Sequence, residues 1–480
     1  MARRLSIAYV SAQLPSYLAA EHGVVERSVA DLRRLSQELD VDLVADAPVV
    51  TTRADAEAAA AACEAAGADL VLLQCSTFAM GDVVLPFVDR SFRLGLWAAD
   101  EPVREGPIPL NAFVAMHLHA GIVRTLGATP LARFKWFVGT GEHPWFAPRL
   151  RVTVAALRGA RAVQGARIGV VGGLAPTFHS LASDTKHLRA RFGVETVEHE
   201  VRELIHMARG QASSAVDALL DELRDAARQR VEVDHDDMRT SAAVALALRE
   251  LAQRNGYDAL AVSDWPAFQS ELGIHPGLAF SWVDEADGVP IASEGDVLGA
   301  LSMLLARGLT GHGAMLLDMN DVDLEADAVL MWHCGGSPLS FADDDGVRWT
   351  NHTTLGRPER GDTPRGAVAD LVFRRGPATL IRLGRDGREL FAADAEVVAH
   401  PSRGFDGSRG WLSRFADPDG RYSVADVVAT VVGGGVEHHV VLADGHVTVA
   451  AREAAAWLGV RLTPWRRYAD GLTPDSWPAG

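Results

Sequence analysis

The sequence predicts an α/β protein in three parts. Two domains of alternating strands and helices built on parallel sheets, at 1–165 and 166–345, precede a β-rich, barrel-like C-terminal domain at 346–480. Three observations predict it. Apolar runs of strand length alternate with helical patterns of about a dozen residues through the first two parts. After about residue 345 the texture changes to short Val- and Arg-rich runs separated by Gly, Asp and Pro. Finally, 480 residues are more than one core accommodates, and a prior of roughly 150 residues per domain gives about three.

The first part opens with the apolar run Leu5–Val10, followed by a helical pattern over Val25–Leu39 and a strand-like Val41–Val44. An alanine-rich helix is expected over Asp55–Ala66, then strands at Ala68–Leu73 and Phe92–Trp97. The loop Gly106–Asn111 precedes a helix bearing His117 and His119. Residues two apart face away from each other on a helix, so these are not a metal pair. The loop Val138–Pro144 lacks the third glycine of a dinucleotide fingerprint. A fresh unit starts at Ala166, where the strand Arg167–Val171 runs into Gly172–Gly173; Pro176 in that turn argues against a phosphate loop. The segment 210–256 reads as helical and charged, and Asp258–Val262 as a strand that ends near Asp264.

The stretch Val289–Gly336 carries the chemistry. An apolar run, Val289–Ala292, stops at Glu294. Val297, Ala300, Leu301, Leu304 and Leu305 then follow helical spacing until Gly308 and Gly311. Two further apolar runs stop at Asp318 and at His333. Strand, helix, strand reads as a βαβ unit with parallel strands, and ligands of such sheets sit beyond the carboxyl ends of the strands. Two carboxylates and an imidazole would converge there, and unpaired carboxylates so placed call for a cation. The plainer reading makes Ser293 and Asp296 a helix cap and its partner, Asp318 a turn residue and His333 a core histidine.

In the third part, strands are expected over Ala367–Phe373, Ala378–Gly384 and Glu389–His400, with a loop at 403–423 holding Arg403, Trp411 and Arg414. A helix is expected at Val447–Leu458. Between them lie three glycines and the adjacent His438 and His439, which as strand neighbours point to opposite faces.

Composition narrows the function. Hydrophobic residues at 48% and charged residues at 23% are those of a globular protein. A net charge of −17 argues against nucleic acid and anionic membranes as partners. The three cysteines, Cys63, Cys75 and Cys334, form no CxxC pair and suggest neither a disulfide framework nor a thiolate zinc site. No apolar run reaches the ~18 residues of a membrane span, and the amino terminus reads as a strand rather than a signal peptide, so the expected location is cytoplasmic. Lys135 and Lys186 are the only lysines, which leaves little room for Schiff-base chemistry.

The segments SDWPAFQSELGIHPGLA (263–279), VPIASEGDVLGALSMLLARGLTG (289–311), AMLLDMND (314–321), LMWHCGG (330–336) and GVEHHVVLADGHV (435–447) together resemble the L-fucose isomerase and L-arabinose isomerase superfamily. The resemblance covers the last two parts of the chain. It implies two Rossmann-like parallel-sheet domains and a barrel-like third, and a metal-dependent aldose–ketose isomerase acting on a free or modified monosaccharide. It also implies a homo-oligomer, a trimer or hexamer, whose neighbouring subunits complete each active site. Glu294 and Asp318 match the metal-binding carboxylates that also move the proton, His439 the late metal ligand, and His333 a fourth. Trp265, His438, Asp264, Asn111 and Trp411 are the candidate substrate contacts. Carboxylates and imidazoles suit Mn²⁺, with Mg²⁺ or Co²⁺ as alternatives. Ser263 and Gly277 stand where the family pattern has cysteines. That departure keeps open a metal-dependent relative catalysing epimerisation or bond cleavage on a sugar-like hydroxycarbonyl. A sugar-binding protein without turnover is the third reading.

Overall fold

The computed structural model describes residues 4–44, 48–126, 134–352 and 365–469. The chain gathers into two compact units, Met1–Arg158 and Gly159–Gly480.

In the first unit the order is β1 (Ser6–Ala12), α1 (Val24–Glu38), β2 (Asp42–Val44), β3 (Val49–Val50), α2 (Arg53–Ala65), β4 (Leu70–Cys75), β5 (Arg93–Ala98), α3 (Ala112–Leu126), β6 (Phe134–Val138) and α4 (Ala147–Val163). The strands lie in the order β2-β1-β4-β5-β6, with β3 also on β1, and every pairing is parallel. All positions of β1 and β4 are buried, as expected of strands covered on both faces. His119, on α3, is a buried core group: one ring nitrogen lies 3.4 Å from Cys75 Sγ and the other 3.1 Å from the Met80 carbonyl.

The second unit begins with β7 (Arg167–Val171), α5 (Thr185–Phe192), β8 (Glu195–His199), α6 (Val201–Arg209), α7 (Ser213–Ala226), α8 (His235–Asn255), β9 (Ala259–Val262), α9 (Ala267–Glu271), α10 (Gly277–Asp287), β10 (Ile291–Ser293) and α11 (Val297–Thr310). Its strands form a second parallel sheet in the order β10-β9-β7-β8. Next come β11 (Ala314–Asp323), β12 (Ala328–His333), β13 (Arg348–Asn351), β14 (Ala367–Val372), β15 (Gly376–Gly384), β16 (Glu389–Val398), β17 (Ser408–Asp417), β18 (Gly420–Arg421), α12 (Val424–Gly434), β19 (His439–Asp444), α13 (Thr448–Leu458) and β20 (Arg461–Leu462).

These later strands make a third sheet that is mostly antiparallel. Within it the pairings β17-β12-β11-β19-β15-β16 return to β17, a closed circuit of hydrogen-bonded neighbours. The parallel sheet and the third sheet share one core, in which Leu248, Phe268 and Phe280 join Trp349, Phe373 and Phe415. The boundary expected near 345 therefore lies inside one compact unit.

The βαβ reading of Val289–Gly336 is corrected. Only β10 belongs to the parallel sheet; β11 and β12 pair antiparallel in the third sheet. For the β11–β12 pair the physical reason is the connection. Residues 324–327 are too few for a crossover, and a link that short can only turn back as a hairpin. The segment 403–423, expected as a loop, contains β17, and α12 lies where no helix was expected. Asp296, rather than Ser293, caps α11 by accepting from the Gly299 N–H. Gly308 lies inside that helix, and Gly311 ends it in the left-handed conformation.

Candidate active site

Glu294 follows β10 directly, at the carboxyl end of the parallel sheet. Its φ of 61° puts a bulky residue in the left-handed region, which is uncommon. The neighbouring chain holds it there. Its N–H donates to Asp264 Oδ1 (3.0 Å), and its carbonyl accepts from the Ala175 N–H (3.0 Å). Gly295, at φ 75°, must be glycine: a Cβ there would lie 2.1 Å from the Gly173 oxygen. The Gly172–Gly173 turn thus packs against the Glu294 loop.

Asp318 and His439 arrive from the third sheet as directly opposed residues of β11 and β19. Cross-strand partners stand close enough for their side chains to meet. His439 Nε2 lies 3.4 Å from Glu294 Oε2 and 3.9 Å from Asp318 Oδ1. His333, at the end of β12, has its ring centre 5.6 Å from that of His439. His438 Nε2 is 3.5 Å from Glu294 Oε2. Ligand atoms of Asp318, His333 and His439 all lie within 4.8 Å of one another, as do those of Glu294, His438 and His439. Burial pushes the His333 imidazole below its usual range, so it is a neutral ring with a lone pair to offer.

Three polar atoms at this convergence are buried without a hydrogen-bond partner: Glu294 Oε2, Asp318 Oδ1 and His439 Nε2. An unpaired buried oxygen or nitrogen costs about 1–3 kcal/mol, more if charged. A divalent cation would satisfy all three together, and the residues fit one. Two carboxylates with imidazoles form a hard-to-borderline donor set of the kind Mn²⁺ and Mg²⁺ accept.

The expected substrate contacts divide. Trp265 lies beside the cluster, its ring 5.9 Å from Phe178, which in turn stacks on His438 at 5.5 Å. His438 is half-exposed, with its Nδ1 3.3 Å from the Ser180 hydroxyl. Asp264 is buried with both oxygens engaged, by the Glu294 N–H and by His275 Nε2 (3.1 Å). Burial raises its pKa, but the hydrogen bonds from His275 and the Glu294 N–H outweigh that and leave it below the usual carboxylate range. Trp411 is not brought to the cluster. It is buried against Leu330, stacks on His400 at 3.7 Å, and donates its indole N–H to the Ser402 carbonyl. Asn111 belongs to the first unit, in the left-handed conformation before α3.

Sequence reasoning missed Asp296 and Arg382 as members of the site. The ligand atoms of His275, Cys334 and His352 also lie within 4.8 Å of one another. However, His275 Nδ1 accepts from the Gly277 N–H (3.1 Å), which leaves its Nε2 as the N–H donor to Asp264. That imidazole has no lone pair to spare, so the group reads as a hydrogen-bonded support for Asp264 and Cys334.

Comparison with curated proteins gives the chain its class: it is an enzyme, similar to isomerases. It is 27% identical over 394 residues to a protein named sulfoquinovose isomerase from Alkalicoccus urumqiensis, covering 80% of this chain and 83% of that one. A protein of the same name from Priestia aryabhattai is 24% identical over 386 residues, covering 79% and 82%. A third, from Clostridium sp. (strain MSTE9), is 25% identical over 361 residues, covering 73% and 76%. No protein-family model matches the chain. Among solved structures, a solute-binding protein of an ABC transporter system from Aeropyrum pernix K1 aligns over 61% of this chain and 75% of its own. Its identity is 13% and its TM-score 0.16, and at that score the alignment carries no argument.

Proposed function

We propose that this protein is a divalent-metal-dependent aldose–ketose isomerase of a monosaccharide, working through an enediolate. The single observation that carries the reading is that Glu294 Oε2 and Asp318 Oδ1 both approach His439 Nε2, at 3.4 and 3.9 Å, all three being buried atoms without a hydrogen-bond partner. Similarity to sulfoquinovose isomerases over about four-fifths of the chain supports the reaction class and makes sulfoquinovose the first substrate to test. The closed strand circuit supports a barrel-like third sheet.

Glu294, Asp318, His439 and His333 would hold the ion. When bound, a Mn²⁺ or Mg²⁺ would supply positive charge that polarises a hydroxycarbonyl and acidifies the C2–H next to its carbonyl. The chain's own groups do the rest. One carboxylate takes the proton from C2 and returns it to C1, while the other takes the proton from O2 and returns it to O1, so that the carbonyl moves from C1 to C2. Each side chain is 16–29% exposed, enough to reach a substrate yet largely shielded from water. Phe178, Trp265 and His438 form an aromatic wall at the same place, suited to the apolar face of a sugar ring or chain.

The test is Glu294→Gln. Turnover of sulfoquinovose, or of whichever aldose the wild type accepts, is expected to fall by at least about 10³-fold with an unchanged circular dichroism spectrum, the carboxylate being both ligand and proton carrier. Turnover within a few-fold of wild type overturns the reading. Metal analysis of protein dialysed against Mn²⁺ should give about one ion per chain, lost in Glu294→Ala/Asp318→Ala.

A further inference from the structure

Three imidazoles meet at the two carboxylates, and their Nδ1 atoms are held with very different strength. His439 is fully buried, with Nδ1 2.9 Å from Asp296 Oδ2. Asp296 is itself fully buried and clamped by Arg382, whose two terminal nitrogens lie 2.6 and 3.1 Å from its oxygens. The Gly299 N–H at the start of α11 adds a third bond, 2.7 Å to Oδ1. Behind them, Arg382 Nε lies 3.7 Å from Glu437 Oε2. His333 Nδ1 has the softer Cys334 Sγ at 3.3 Å. His438, the most exposed of the three, has only the Ser180 hydroxyl at 3.3 Å.

A neutral imidazole offers a lone pair on one nitrogen, and the partner of the other nitrogen decides which. Asp296 can only accept. Both its oxygens already accept, from the Arg382 guanidinium and from the Gly299 N–H. In its neutral form His439 therefore carries its proton on Nδ1, and the lone pair of Nε2 faces Glu294 Oε2 and Asp318 Oδ1. A hydroxyl, which both donates and accepts, imposes no such choice on His438.

We propose that Asp296, held by Arg382, is a positioning residue that fixes His439 in the Nδ1–H form, and that it divides the adjacent histidines into a fixed ligand, His439, and a movable, substrate-facing ring, His438. The words ligand and substrate rest on the function proposed above; the tautomer assignment does not.

The experiment records ¹⁵N spectra of histidine-labelled, metal-free protein, then titrates it with Mn²⁺. In the wild type, one buried histidine should be locked as Nδ1–H. In Asp296→Asn that signal should shift towards the other tautomer or a mixture, because an amide can donate where the carboxylate could only accept. Mn²⁺ affinity should fall about 10–100-fold, as for other supports of metal-binding histidines. Ser180→Ala should leave affinity within about twofold, since a ring that is not a ligand contributes nothing to it. Asp296→Asn leaves Arg382 buried without its counter-charge. If that variant fails to fold, Asp296→Asn/Arg382→Met removes both charges and is read in the same two ways.

An unchanged tautomer together with unchanged affinity in the folded variant overturns the proposal. So does an equal loss of affinity in Ser180→Ala, which would make both histidines ligands. A wild type that binds no Mn²⁺ but still shows the tautomer shift rejects the metal reading and upholds the positioning role.

Discussion

Glu294 is where backbone conformation and chemistry meet. Holding a side chain at φ 61° costs of the order of 1–3 kcal/mol, tolerated here because Asp264, Ala175 and the Gly173 turn over-determine the loop. Gly295→Ala removes that arrangement, since its Cβ would fall 2.1 Å from a backbone oxygen. The variant should lose about 1–3 kcal/mol of stability and most of its activity, readable as a lower melting temperature beside a turnover assay. The site residues were legible in the sequence to the extent that they close apolar runs, although Asp318 lies inside β11 rather than at its end. Glu294, Asp318 and His333 each close an apolar run, and the adjacent His438 and His439 are an unusual pair. Their support was not legible. Arg382 is one arginine among many along a strand, and its partner Asp296 lies 86 positions away. Asp264 sat near the expected crevice, but nothing in the sequence shows that both its oxygens are occupied by the protein.

At the level of elements, apolar runs located β1, β2, β4, β5, β7, β9 and β10 of the two parallel sheets and left β3, β6 and β8 unmarked, while helices α4, α5, α6, α9 and α10 also went unread. The runs misplaced β11 and β12, because an apolar run carries no mark of the direction of its neighbour. Only the length of the 324–327 turn distinguishes a hairpin from a crossover, and the polar residues flanking it hid where β11 ends. Helix α12 was missed although its start is written out. Ser423 accepts from the Asp426 N–H while the Asp426 carboxylate accepts from the Ser423 N–H, a capping box ahead of a valine-rich run. Valine reads as strand, and the box decides otherwise. Ser423→Ala should cost about 1 kcal/mol in urea unfolding and leave turnover unchanged, because the helix stands apart from the carboxylates.

Over the whole molecule the net charge is −17, and among the described residues no helix is long and apolar enough to cross a membrane. Acid should unfold the second unit for a reason that can be traced. Burial first, then the nearby His275 and His333, push His352 from its ordinary 6.5 down to about 2. Between those values the unfolded chain binds a proton that the native chain refuses. Stability from this group is therefore intact above pH 6.5 and is lost as pH falls towards 2, by about 1.4 kcal/mol per pH unit. His352→Leu should flatten the acid limb of urea midpoints measured from pH 7 to 4.5 by up to one proton's worth. The placement of the carboxylates has a last consequence. Asp318 and His439 belong to one sheet, and Glu294 hangs from the edge of another. Whatever binds all three is a rivet through two plates: its affinity is also adhesion between the sheets, so occupancy should set how far the second unit can be heated before its layers part.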